Sequence, residues 1–139
     1  DRSVSRGLGD VYKRQSGHGQ LAKMVNQIAI SGVLFGLSEA ITFGKSSKLN
    51  MDKVFEAISA GAAQSWQLDN RFQTMNANKF NFGFAVDLMI KDLKIAIKES
   101  KKSGKNYFLT KNVLNKYKKL SKHGNGRLDT SSLIKAISK

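Results

Sequence analysis

The chain has no cysteine and no proline, and only two histidines and one tryptophan among its 139 residues. The lack of cysteine excludes disulfides, thiolate metal sites and cysteine nucleophiles, and a reducing, cytoplasmic setting is expected. His18 and His123 stand far apart, each beside a glycine, which argues against a histidine-built metal site. No apolar segment follows the polar, charged N-terminus, so no secretory signal is expected. Nor is there a run of about 18 apolar residues that would suggest a membrane span. The longest apolar stretch, Ile28 to Phe43, is broken by Ser31, Ser38, Glu39 and Thr42, and reads as a buried helix. No two-residue alternation of apolar and polar side chains persists, and with proline absent the pattern points to an all-α domain. The length suits one domain with a sizeable core.

Acidic residues are also scarce, 10 against 24 basic ones, for a net charge of +14 and a pI near 10.2. Such a balance invites a nucleic-acid or anionic-membrane partner. Its makeup argues the other way. Only Arg2, Arg6, Arg14, Arg71 and Arg127 are arginines, the residue favoured for base readout and bidentate phosphate contacts. The lysines crowd between Lys91 and Lys122 among Ser, Asn and Gly, without the interleaved aromatics that make a stacking platform. A solvated lysine-rich surface is the expectation. A basic helical nucleic-acid-binding module is the alternative, marked by affinity that falls steeply with salt.

Residues 1–15 show no sustained apolar period and resemble translated sequencing-adapter sequence, so they are expected to be a loose, non-native tail. The remainder still carries +12, and the tail does not explain the charge. From Gln20 to Phe43 the pattern is helical, with Gly44 as the expected stop, a helix of about 36 Å. Gly32, Gly36 and Ala40 make a small-residue groove on it, and Ile30, Val33, Leu34, Leu37 and Ile41 supply bulk on its other sides. A helix apolar nearly all round must be enclosed, in part by a partner subunit, which predicts a homodimer or higher homo-oligomer.

Asn50 is the expected N-cap of a second helix bearing Val54, Phe55 and Ile58 and ending at Gly61. A third runs from Ser65 to about Asn78, with Ser65 as N-cap and Trp66 as an anchoring core residue. A turn at Phe80 to Phe84 precedes a helix from Asp87 to Ser103, stopped by Gly104. Lys111 to His123 forms the next, closed by Gly124-Asn125-Gly126, and a short helix begins near Thr130 with Leu133, Ile134 and Ile137 facing inward.

Chemistry concentrates in Gly17-His18-Gly19-Gln20-Leu21-Ala22-Lys23-Met24-Val25-Asn26. The i, i+3 spacing puts the Lys23 ammonium and the Asn26 amide on one helical face, where both reach one small ligand. On spacing alone, a surface lysine and asparagine is the commoner reading. Gly17-His18-Gly19 follows no strand and lacks a third glycine, so it is not a phosphate loop.

Taken in order with Ser65-Trp66, Phe84, Lys91-Asp92 and Gly124-x-Gly126-x-x-Asp129-x-Ser131, these motifs resemble the C-terminal helical domain of the β-hydroxyacid dehydrogenase family. The nearest likeness is to 3-hydroxyisobutyrate dehydrogenase-like enzymes, with a 6-phosphogluconate dehydrogenase C-terminal-like fold. The resemblance spans residues 16–139 and implies a multi-helix domain around one long helix. It implies that Lys23 is the catalytic general acid/base and that Asn26 positions substrate. It further places Phe84 and Asp92 at the substrate, Lys91 at an NAD or NADP cofactor, and Asp129 and Ser131 as caps of a last helix that helps cover the cofactor. Gln27 departs from the family's second asparagine, Arg14-Gln15 stand where Gly-Pro is usual, and the proline expected after Gly104 is missing.

The chemistry fits a lysine. Oxidising an alcohol requires removal of its hydroxyl proton as hydride leaves the adjacent carbon. Burial against a cofactor, or a nearby positive charge, would bring a lysine pKa toward neutrality. The strand, Gly-rich turn and helix that hold a dinucleotide are missing from the sequence. A fragment is therefore expected, the helical half of an oxidoreductase acting on a small 3-hydroxy acid, inactive without its Rossmann domain. A purely structural dimerisation domain is the blander rival, separated by whether Lys23 sits beside Asn26 and Asp92 or on open surface.

Overall fold

The computed structural model describes residues 17–137, and the expected tail lies outside the described residues. Those residues form α1 (His18–Ser46), α2 (Met51–Ser59), α3 (Trp66–Asn76), α4 (Val86–Ser100) and α5 (Phe108–Leu120). A 3-10 turn (Lys101–Ser103) extends α4, a π-type turn (Ser121–Asn125) extends α5, and a 3-10 helix (Thr130–Ala136) closes the chain. Among the described residues there is no strand, only a single bridge between Ala85 and Asp129. The all-α architecture around one long helix is as the sequence implied.

At 29 residues α1 is about 44 Å long and is the axis on which the other elements pack. Its buried positions, Met24, Gln27, Ser31, Leu34, Leu37, Ser38, Ile41 and Gly44, recur every three or four residues. The stripe changes character along its length. Toward the C-terminal end, Leu34, Leu37 and Ile41 join Leu68, Phe72, Met89, Leu93, Val113, Tyr117 and Leu133 in the core. Toward the N-terminal end the buried side chains include Gln27 and Ser31. By length and composition α1 could cross a membrane, but its core-facing stripe is packed inside the helical domain.

Gly44 does not stop α1. It lies buried inside the helix, which continues to Ser46, and a Cβ there would come within 2.8 Å of the Met51 Sδ. The glycine serves the close approach of α2. The chain leaves the helix through Lys48, whose φ is +59°. Two N-caps form as the sequence suggested: Asn50 accepts from the Lys53 N–H at 3.1 Å, and Ser65 from the Leu68 N–H at 3.0 Å. Trp66 is not a core anchor. It is 46% exposed, because the first turn of α3 faces the rim of the bundle.

The segment after α5 buckles the fold. Helix α4 has no side-chain N-cap, and its first N–H groups are satisfied instead by the returning chain. Val86 donates to the Leu128 carbonyl at 2.8 Å and Asp87 to the Gly126 carbonyl at 2.9 Å. Thr130 donates in turn to the Phe84 carbonyl at 2.8 Å, and Asp129 to the Phe80 carbonyl at 2.9 Å. The tight return explains Gly126, where any Cβ would collide with the Asp87 carboxylate. Buried Tyr117 ties α5 to the same segment, donating its hydroxyl to the Thr130 carbonyl at 2.9 Å.

Candidate active site

Gly17 opens α1 at φ +75°, a conformation that suits glycine, and the helix then carries Lys23, Asn26 and Gln27 on adjoining positions of its first turns. Helix α4 crosses this end of α1 and brings Asp92 to them. The Lys23 Nζ lies 3.4 Å from Asp92 Oδ1. Gln27 donates from Nε2 to Asp92 Oδ2 at 2.9 Å, and Asn26 donates from Nδ2 to Gln27 Oε1 at 3.1 Å. Lys23, Asn26, Gln27 and Asp92 are thus one polar network.

Burial grades across the network. Asp92 and Gln27 are 5% and 2% exposed, whereas the Lys23 side chain is 35% exposed. The lysine reaches solvent, as the half-buried Asn26 does, and its Nζ is held by a buried carboxylate. The charge in contact with it is negative, the opposite of the nearby positive charge that the sequence allowed for.

Asn26 also lines a cavity of about 180 Å³ between α1 and the start of α3. Ala29, Ile30 and Val33 give it an apolar wall, and Ser65, Trp66 and Gln67 close it from the other side. Gln67 is buried, and its Oε1 has no hydrogen-bond partner. A buried acceptor left unpaired costs roughly 1–3 kcal/mol. The cavity offers an apolar lodging for a small aliphatic group with amides at its edge.

Three of the residues singled out in the sequence, Lys23, Asn26 and Asp92, are therefore brought together. Lys91 is exposed on α4, and no ion pair forms at it among the described residues. Phe84 packs half-buried against the core, its N–H donating to Asp129 Oδ1 at 2.9 Å, so it belongs to the buckle. Asp129 does cap the closing 3-10 helix, accepting from the Ser131 N–H at 3.0 Å and also from the Ser131 hydroxyl. Sequence reasoning passed over Gln27 as a mere departure and did not see Gln67 or Arg71. The one signal for Gln67 was its place next to an N-cap serine, at the start of a helix whose next residue, Leu68, is core.

Comparison with known proteins identifies the family and the fold. A family profile described as NAD-binding of NADP-dependent 3-hydroxyisobutyrate dehydrogenase matches residues 17–137. The chain is 47% identical over 123 residues to an uncharacterized oxidoreductase of Shewanella frigidimarina, covering 88% of this chain and 42% of that protein. It is 35% identical to a probable mitochondrial 3-hydroxyisobutyrate dehydrogenase-like protein of Arabidopsis thaliana, covering 88% of this chain and 36% of that protein. The crystal structure of a 3-hydroxyisobutyrate dehydrogenase from Salmonella typhimurium superposes with a TM-score of 0.76 at 27% identity, over 86% of this chain and 42% of that one. The chain spans about two fifths of the length of the relatives it matches.

Proposed function

The chain belongs to the 3-hydroxyisobutyrate dehydrogenase NAD-binding family, and from that premise we propose that it is the proton-handling, helical part of a nicotinamide-dependent hydroxyacid dehydrogenase. The observation that carries the reading is the partly exposed Lys23 ammonium fixed against a buried carboxylate, with the Asn26 amide three residues along the same helix. NAD or NADP, when bound, supplies the hydride acceptor. Among the described residues there is no strand–turn–helix to cradle a pyrophosphate, so a preceding Rossmann domain would hold most of the cofactor. Exposed Lys91, one residue before Asp92, carries the right charge to meet a phosphate-bearing cofactor from this side.

Oxidation of a hydroxy acid needs the O–H proton taken as hydride departs. In the reductive direction the Lys23 ammonium, held beside Asp92, gives a proton to the forming alkoxide; in the oxidative direction the amine so left takes the hydroxyl proton and is ammonium again. Asp92 fixes where Nζ sits, and Asn26 orients the substrate. The nearby apolar cavity of about 180 Å³ suits the small branched chain of a 3-hydroxyisobutyrate-like acid. In the longer enzyme, Lys23→Ala should lower kcat by about 10²–10⁴-fold with folding nearly intact. Turnover within a few-fold of wild type would sink the assignment, and a steady nicotinamide-dependent absorbance change from the 139 residues alone would refute the need for a second domain.

A homodimer belongs to the same reading. Leu21, Val25, Val33 and Phe43 remain exposed on α1, and Gly32, Gly36 and Ala40 line a cleft of about 250 Å³ against Ile58 and Ala63. Light scattering at high concentration that gives only monomer would count against it.

A further inference from the structure

We propose that the concavity between the C-terminal end of α5 and the closing 3-10 helix is a binding site for a compact polyanion, a small molecule carrying two or more clustered negative charges. It shares no residue with the Lys23–Asp92 network or with the cavity beside Asn26, and it stands whether or not the dehydrogenase reading does.

The cavity holds about 510 Å³, inside the range of roughly 300–1,000 Å³ usual for small-molecule sites. Lys116 and Lys119 line it from α5, His123 and Asn125 from the π-type turn, and Lys135 from the 3-10 helix, over an apolar floor of Leu120 and Ala136. Three lysines from two elements thus border one space, and no acidic residue lines it. Low-dielectric walls of one charge sign concentrate counter-ions in such a cleft.

A run of lysines is ordinarily a solvated surface, and a helix C-terminus draws cations without any ligand. Neither accounts for this set. The α5 dipole ends in about half a negative charge, which exposed Lys118 in its last turn, outside the cavity, is enough to offset. The three lining lysines remain in surplus. Lys116 is not held out in water either: it is half-buried, with its Nζ 5.8 Å from the centre of the Phe35 ring on α1. A ring face attracts the charge but supplies no lone pair for the ammonium donors. Neither Lys116 nor Lys119 has a carboxylate partner among the described residues. His123 donates Nδ1–H to the Lys119 carbonyl at 2.7 Å, which ties the turn to the helix and fixes this edge of the cavity. Half-buried Asn125 adds an amide donor beside the cations.

The kind of cation decides the kind of ligand. No arginine lines the cavity, and an ammonium acts as a point charge without the planar fork of a guanidinium. The site therefore selects by charge density, and its apolar floor accepts a short carbon body. Linked phosphoryl groups and small polycarboxylates share that chemistry.

The test is an NMR titration of the ¹⁵N-labelled 139-residue chain at fixed ionic strength, with sodium pyrophosphate and, separately, sodium citrate as probes and sodium chloride as the reference. Saturable shifts are expected in the backbone amides from Lys116 to Asn125 and at Lys135 and Ala136. Tighter binding of pyrophosphate assigns a phosphoryl ligand, and tighter binding of citrate a carboxylate one. Shifts that never saturate with either probe, or that spread evenly over the lysines of α4 and α5, overturn the site. Lys116→Gln combined with Lys119→Gln should weaken binding about tenfold or more, whereas Lys94→Gln combined with Lys98→Gln, which removes the same charge from exposed positions on α4, should change it less than about twofold. An equal loss in the two double variants overturns the site. If the first double variant loses its dispersed spectrum, Lys119→Gln alone, at an exposed position, takes its place with an expected loss of about threefold; unchanged binding then overturns the proposal.

Discussion

Two buried aspartates, Asp92 and Asp129, sit in this small domain in opposite circumstances. Asp129 is 1% exposed and saturated: it accepts from the Phe84 N–H at 2.9 Å, the Arg71 Nε at 3.0 Å, the Ser131 N–H at 3.0 Å and the Ser131 hydroxyl. Arg71 is itself enclosed, its guanidinium 5.0 Å from the Trp66 ring and 4.8 Å from the Phe82 ring. Asp92 accepts one short hydrogen bond, from Gln27, and its other oxygen faces the 35%-exposed Lys23 side chain at 3.4 Å. A carboxylate whose every partner is fixed does structural work. One that ends on a partly exposed amine leaves that amine open to solvent. The contrast separates the fold's lock from the candidate site more clearly than burial does, since burial is nearly the same at both.

The sharpest way to break this comparison is to truncate each carboxylate. Asp129→Ala should destabilise the chain by about 3–5 kcal/mol in urea unfolding, because it strands Arg71 and two backbone donors. Asp92→Ala should cost only about 1–2 kcal/mol, chiefly the lost bond from Gln27, while removing activity from the longer enzyme. Equal costs at the two sites would erase the distinction.

Gly83→Ala attacks the lock from outside. The glycine has φ +71°, and a Cβ there would strike the Asp129 carboxylate and lie 2.8 Å from Arg71 Nη2. A loss of about 2–3 kcal/mol is expected in the same assay.

Next in size is an alkaline effect confined to the lock. Burial, and secondarily the charge of Asp129, push the Tyr117 hydroxyl well above its ordinary value of 10.0. Above pH 10 the unfolded chain gives up this proton while the folded chain keeps it, so stability falls as pH rises. By about pH 11 the loss should reach about 1.4 kcal/mol, and Tyr117→Phe should flatten that slope. The smallest effect lies on the active-site side, where Ser65→Ala removes an N-cap at the cavity rim and should lower the melting free energy by about 1 kcal/mol.

Much of this was legible in the residues. The long helix showed in the helical apolar pattern from Gln20 to Phe43, and Asn50 and Ser65 announced their caps by residue type and place. Gly44 misled because a glycine after an apolar run reads as a stop, whereas here it makes room for Met51, a tertiary contact the local sequence does not express. Trp66 misled because size alone suggests burial, and the ring instead meets Arg71 at the rim. The tie of Gln27 to Asp92 was not legible, since an amide next to an asparagine on a helix is ordinary until its partner is known.

By itself the sequence determined an all-helical chain, its caps, its excess of lysine, and a lysine and an amide on one helical face, because these follow from residue type and helical period. Which carboxylate meets that lysine was decided only by tertiary structure. Asp92 lies 69 positions from Lys23 and 37 before Asp129. The crossing of α1 with α4 and the return of the closing segment onto the start of α4 give one aspartate a lock to hold and the other an exposed amine. Long-range packing assigns roles that two identical side chains do not carry in their chemistry.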